Sequence, residues 1–259
     1  MPELEPFAAL VATLPRGPGS VRVEEGPITR IVIDAPLRRN AMTPHMMVDF
    51  AHATRAAAGA SVVLIRGEGD AFCSGGDLEY VASALVKPGV GAQLRSMMAG
   101  AVRRLEESGA VIVAAVTGPA LGGGAELLAA CDLVFANPKA RIGWVHARLG
   151  VSPGFGGSQR LLRRVGARRA LRLLTEARLL SAEAALAAGL VDEIVEDPWH
   201  AAEAWAQAAL ELPFAALQGA VRLCRTLPEG SEDAERTLFT QLWGGPAHLD
   251  ALQRLGHRP

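Results

Sequence analysis

The chain has 259 residues, half of them hydrophobic, with 26 Lys plus Arg against 27 Asp plus Glu and a formal net charge of −1. That length buries a substantial core and allows one large domain or two small ones. The near-neutral balance excludes a global attraction to nucleic acid or to an anionic membrane, and no apolar run reaches the ~18 uncharged residues of a membrane span.

Residues 1–19, "MPELEPFAALVATLPRGPG", are acidic and proline-broken and read as an N-terminal leader without the basic n-region of a targeting peptide. "VRVEEGPITRIVIDAP" then gives two strands around Glu25-Gly26-Pro27. "LRRNAMTPHMM" is a turn and a helix start, with Thr43 at the N-cap and Pro44 at the first helical position. "SVVLIRGEG" is an apolar strand, and "DAFCSGGDL" a glycine loop that feeds the next helix. A second cycle repeats the plan: "GAQLRSMMAGAVRRLEES" is an amphipathic helix, "AVIVAAVTG" a buried strand, and "PALGGGAELLAACD" a loop and helix. "LVFANPKARIGW" supplies a further strand pair. Strands alternating with helices make the fold α/β, and the recurring strand, glycine loop and helix form a loose structural repeat over residues 20–197. Residues 198–259 read as a run of helices separated by Pro and Gly, a C-terminal subdomain that packs either on its own body or on a neighbouring subunit.

Cys73, Cys131 and Cys224 show no CxxC or Cys/His pairing, so they read as small buried residues of a protein from a reducing compartment, the cytoplasm. Cys73 lies in a glycine loop and is the one candidate for a reactive thiol. "RLLRRVGARR", residues 160–169, reads as a solvated helix face, with a subunit or phosphate contact as the alternative. His45, His52, His200, His248 and His257 have no ligand spacing and read as surface or interface residues; no metal site is expected.

Two loops, "CSGGD" and "LGGGAE", each follow an apolar strand and open a helix, where backbone N–H groups lack partners and carry partial positive charge. Neither fits GxxxxGK[ST] or a GxGxxG in an N-terminal βαβ unit, which argues against a nucleotide phosphate. Two converging N–H groups suit the oxygen of a thioester as it gains charge. Glu126 follows the second loop among Ala and Leu; it either caps its own helix or serves as a general acid or base beside such an oxyanion site.

These features resemble the crotonase (enoyl-CoA hydratase/isomerase) superfamily. "RRNAMT" at 38–43, "AFCSGGDL" at 71–78, "GPALGGGAELLAACDLVFA" at 118–136, "LGVSPGFGGSQRL" at 149–161 and "LSAEAALAAGLVDEIV" at 180–195 occur in the family's order and spacing. The resemblance implies a crotonase-like spiral of ββα units, with residues 198–259 a helical region that assembles a homotrimer, or a hexamer as a dimer of trimers. It implies an acyl-CoA thioester whose carbonyl oxygen sits between the N–H groups of Gly76 and Gly123. Arg38, Arg39 and Ala41, with Cys73, Gly75, Asp77 and Leu78, would bind coenzyme A. Leu121, Trp144 and Phe155 would line the acyl pocket, although Trp144 also fits a core role. No metal or redox cofactor is implied, coenzyme A being part of the substrate.

Hydratases of this family use two glutamates. Glu126 matches the first, and twenty residues onward the second is replaced by His146. Histidine there, with "WGGPA" near the C-terminus, resembles the ethylmalonyl-CoA decarboxylase branch, whose members remove CO2 from 2-alkylmalonyl-CoA esters. Loss of a thioester carboxylate leaves an enolate, for which an oxyanion hole is the main requirement; His146 would return a proton to Cα, with Glu126 either protonated and bonded to the substrate carboxylate or, the favoured reading, paired with His146 as a proton relay. An enoyl-CoA hydratase or isomerase on a short-chain acyl-CoA is the alternative, and a non-catalytic CoA-ester binding protein a second. Aromatic residues are 5% of the chain and Tyr80 is its one tyrosine, so no basic and aromatic stripe for nucleic acid is expected.

Overall fold

A computed structural model describes residues 4–226, 232–243 and 245–256. Among the described residues, nine strands form two sheets. The larger holds β1 (Ser20–Glu24), β2 (Ile28–Asp34), β3 (Val62–Gly67), β4 (Val111–Val116), β6 (Leu133–Ala136) and β9 (Glu193–Ile194), in that spatial order. The smaller holds β5 (Pro119–Leu121), β7 (Arg141–Gly143) and β8 (Leu180–Ser181). Apart from the β1–β2 hairpin and the β7–β8 pair, all strands run parallel.

Among the described residues, twelve α-helices connect and cover the sheets: α1 (Glu5–Val11), α2 (Pro44–Ala53), α3 (Leu78–Tyr80), α4 (Val90–Glu107), α5 (Gly123–Ala129), α6 (Gly157–Val165), α7 (Ala167–Glu176), α8 (Ala182–Ala187), α9 (Pro198–Leu210), α10 (Phe214–Thr226), α11 (Glu232–Leu242) and α12 (Pro246–Gly256). Thr43 caps α2 by accepting from the Met46 N–H, with Pro44 at its first position, as the sequence indicates.

After β4 the chain alternates between sheets. The stretch 133–144 therefore does not form a strand pair with itself: β6 pairs β4 and β9, whereas β7 pairs β5 and β8. The cause lies at the corner. Asn137 is buried, donates its N–H to the Val116 carbonyl and accepts the Gly118 N–H on Oδ1, so the turn out of β6 stacks on the turn out of β4. The turns that hold β4 with β5 and β6 with β7 each place one strand in either sheet, whereas β1, β2 and β3 all lie in the larger.

β4 reads "VIVAAV" and is buried at every residue, as a central parallel strand covered on both faces must be. One face, with Ile112, Ala114 and Val116, joins the main core with α2, α4 and α5. The other face, with Val111, Val113 and Ala115, is closed by Ala202, Ala206 and Ala209 of α9 and Val221 of α10. The C-terminal helical region thus begins by covering its own chain's sheet. Arg225 at the end of α10 fastens it, pairing with Asp132 and donating to the carbonyls of Glu106 and Ala110. Within the stretch read as a leader, α1 places Phe7 and Val11 in the main core.

The turn "RRNA" is held by Asn40. It is fully buried at φ 54°, a left-handed conformation that Asn tolerates better than most residues. Its Oδ1 accepts from the Ala35 N–H at 2.8 Å, and its Nδ2 donates to the carbonyls of Glu68 at 2.9 Å and Ala71 at 2.7 Å. Asn40→Ala leaves three backbone groups without this partner, two of them buried, and we expect a loss of about 2–3 kcal/mol, read as a lower denaturant midpoint at unchanged slope.

Candidate active site

Two glycine loops meet where β3 and β4 end. The first, residues 73–77, lies between the 39–42 turn and β5. The Ser74 N–H donates to Arg39, the Met42 N–H to Gly75, and the Asp77 N–H to Met42; on the other side Cys73 bridges Ala120 and accepts from the Leu121 N–H. The parallel bridge between Met42 and Gly76 uses the groups that flank Gly76, so its own N–H points away from it. The second loop, residues 121–123, leads into α5. A Cβ on Gly75, which has φ 97°, would lie 3.3 Å from the Gly123 nitrogen, so the two loops are in contact. Among the described residues neither the Gly76 nor the Gly123 N–H donates to a protein acceptor.

α5 is buried at every residue, Glu126 included, whose exposure is 1%. The carboxylate is satisfied from another part of the chain. Oε1 accepts from the Gly154 N–H at 3.0 Å, and Oε2 from the Phe155 N–H at 2.7 Å and the Gly157 N–H at 2.9 Å. Gly157 opens α6, so the carboxylate sits at a helix N-terminus inside a loop of inward-facing amides. His146 Nε2 completes the set, 2.9 Å from Oε1.

Three of the four partners are obligate donors. An ionised carboxylate accepts all four bonds when Nε2 carries a proton, and His146 is the one partner able to share that proton. Nδ1 is then the nitrogen left for other chemistry; it is buried and has no protein partner. The side chain is 11% exposed, on a 3₁₀ turn, Val145–Leu149, that follows β7. A Cβ on Gly122 would lie 4.0 Å from His146 Nε2, which places the dyad beside the second glycine loop. Acid and base chemistry around an oxygen held by the two loops is what this arrangement can do.

The other expected site residues take varied positions. Arg38 turns its guanidinium to Asp77, with Nε 2.7 Å from Oδ2, and to Glu79 at 3.2 Å. Asp77 also caps α3 through the Glu79 N–H. Arg39 is exposed at φ 52°, Ala41 is half-buried, and Leu78 is exposed at the rim. The Cys73 thiol is buried and burial pushes its pKa up to about 12, which leaves it inert as a nucleophile. Leu121 is partly exposed between the loops; the Phe155 ring lies against Gly123, where an added Cβ would sit 2.6 Å from it. Trp144 is buried. The basic stretch 160–169 divides: Arg163, Arg168 and Arg169 are exposed, whereas Arg160 reaches inward to Glu106 at 2.9 Å, and Arg164 to the carbonyl of Cys131 and to Asp192. His52 and His200 are exposed, and His248 lies 4.6 Å from the Trp243 ring; His257 lies outside the described residues, as does Gly244 within "WGGPA". The reading of residues alone did not find the amides of Gly154, Phe155 and Gly157, although "PGFGG" before a helix is a signal for a carboxylate partner.

A two-sheet spiral with two touching glycine loops defines a crotonase-type protein. The chain belongs to the enoyl-CoA hydratase/isomerase family, whose model matches residues 24–241. It is 34% identical to ethylmalonyl-CoA decarboxylase of Danio rerio over 88% of this chain and 80% of that one. The same-named protein of Gallus gallus is 36% identical over 74% of this chain and 67% of its own length. Among solved structures, an enoyl-CoA hydratase from Thermoplasma volcanium superposes with a TM-score of 0.82 at 30% identity, covering 92% of this chain and 97% of that one.

Proposed function

We propose that this protein decarboxylates a short 2-alkylmalonyl-CoA, ethylmalonyl-CoA or methylmalonyl-CoA. The observation that carries the reading is a histidine at the position of the second acid, bonded to a Glu126 whose remaining acceptor sites are held by Gly154, Phe155 and Gly157. A glutamate so enclosed has no oxygen left to hold a substrate water, which speaks against enoyl-CoA hydration. The names of the curated relatives support the same reading.

In this mechanism the thioester oxygen accepts from the Gly76 and Gly123 N–H groups. The bond between Cα and the carboxylate carbon breaks, CO2 leaves, and the electron pair passes into an enolate whose oxygen those donors stabilise; such a donor is worth about 10²–10³-fold. Protonated His146 gives its Nδ1 proton to Cα and regains one from solvent. Glu126 is a positioning residue: it fixes the ring so that Nδ1 faces the substrate, the role of the buried carboxylate in a Ser-His-Asp triad.

Arg38, Arg39 and Ala41, with Cys73, Gly75, Asp77 and Leu78, would shape the coenzyme A site through a turn and loop laced together by backbone bonds. Leu121 and Phe155 would border the acyl group. No metal or redox cofactor enters this chemistry. The exposed Leu149, Val151, Leu171 and Leu179 supply apolar surface for a homotrimer or hexamer. Three free cysteines fit the cytoplasm.

The test is CO2 release from ethylmalonyl-CoA and methylmalonyl-CoA, with crotonyl-CoA hydration run in parallel. We expect CO2 and negligible hydration. Hydration without CO2 would overturn the proposal, and neither activity with retained coenzyme A ester binding would leave a binding protein.

A further inference from the structure

We infer that Trp144 is a specificity-determining residue: its indole N–H donates to the substrate's leaving carboxylate and, with His146, separates carboxylated from plain acyl thioesters. The inference rests on the decarboxylase reading and deepens it.

The ring is 1% exposed and Nε1 has no protein partner. A buried N–H left without a partner costs about 1–3 kcal/mol, and native proteins keep few of them. A ligand atom is one way in which such a donor is satisfied. Among the described residues two such buried nitrogens, Trp144 Nε1 and His146 Nδ1, lie two residues apart on the segment that leaves β7.

Strand register places that segment. β5 and β7 run parallel with Leu121 opposite Gly143, and the Gly122 N–H donates to the Gly143 carbonyl at 2.9 Å. One step further along the ladder Trp144 stands beside Gly122, the residue before Gly123. His146 Nε2 approaches the same glycine. The backbone of Trp144 and the ring of His146 therefore both adjoin the loop that would hold the thioester oxygen.

A carboxylate has about four acceptor sites and is well matched by two donors. The corresponding plain acyl-CoA has a hydrogen in that place and offers nothing to either. The indole N–H acts on the ground state, because the carboxylate loses its charge as CO2 forms. Removing ground-state binding of this kind raises KM and does not lower kcat.

Trp144→Phe removes the N–H and keeps an aromatic ring. A hydrogen bond to a charged acceptor is worth about 1.5–3 kcal/mol, or roughly 10–100-fold. We expect KM for ethylmalonyl-CoA to rise by that factor with kcat undiminished, and the inhibition constant of butyryl-CoA to stay within about twofold. Equal weakening of both ligands, or no change in either, would overturn the inference and leave Trp144 a core residue. Should the variant fail to fold, the indole N–H resonances of His146→Ala, which consumes the substrate slowly, decide: four tryptophans give four signals. One of them must shift with ethylmalonyl-CoA and not with butyryl-CoA; the same response to both would also overturn it. A wild-type protein that releases no CO2 defeats the decarboxylase reading alone. Calorimetric binding of the two thioesters to wild type and Trp144→Phe then tests the indole separately.

Discussion

Replacing His146 by alanine is expected to lower kcat for CO2 release by about 10²–10⁴-fold, the usual worth of one positioned acid or base. The fold should survive, because His146 sits on a short turn near the surface and contributes one hydrogen bond to a carboxylate that keeps three others. Circular dichroism and the melting temperature should therefore change little while turnover collapses. Glu126→Gln offers the contrast. The amide places an NH2 where two donors already point, so it should disturb both the 154–157 loop and the ring of His146. Full turnover in His146→Ala would show that the proton reaches Cα from elsewhere and would remove the histidine from the mechanism.

Gly124→Ala is expected to be among the most damaging single methyls in the described residues. Its Cβ would lie 2.0 Å from the Cys73 carbonyl oxygen and 2.8 Å from the carbonyl carbon. Both are backbone atoms of the first glycine loop, which the 39–42 turn and β5 grip from either side. Neither partner yields cheaply, so the loops must move apart. Forcing extra volume into a packed site costs about 1–3 kcal/mol and sometimes more; with rigid backbone on both sides we expect about 3–5 kcal/mol. For a chain of this size that lowers the melting temperature by roughly 6–20 °C. Displacement of the Gly76 and Gly123 N–H groups by about 1 Å should cost a further ~10²-fold in turnover. Scanning calorimetry and CO2 release at a temperature where the variant is folded separate the two effects. A variant with wild-type stability and turnover would mean that the loops are not in close contact.

Much of this was legible from residues because glycine and proline mark the chain so clearly. The start of α2 followed from Thr43 and Pro44, and both glycine loops from their place between an apolar strand and a helix. Other features left no periodic trace. β8 and β9 have two residues each, too few for alternation to register, and they exist because neighbouring strands offer them an edge. The division of 133–144 between two sheets depends on Asn137 meeting Gly118, a contact between turns nineteen residues apart. The same holds for Glu126. Local sequence shows a carboxylate among apolar neighbours, and its three amide donors come from 28 to 31 residues further on. The histidine was found because it replaces an expected acid at a fixed spacing, and its bond to Glu126 was anticipated on that basis.

The groups that face the reacting atoms on this reading are mostly amides of the main chain. A substitution library across the pocket would then sort into two populations. Changes at Leu121, Trp144 or Phe155 would retune which acyl chain is accepted, since they alter walls and leave the amides in place. Changes that bend the chain at the two loops would abolish turnover for every thioester alike. Redesigning this scaffold for a bulkier 2-alkyl group is accordingly a problem of carving side chains around a fixed peptide frame, with the electrophile's handle left untouched.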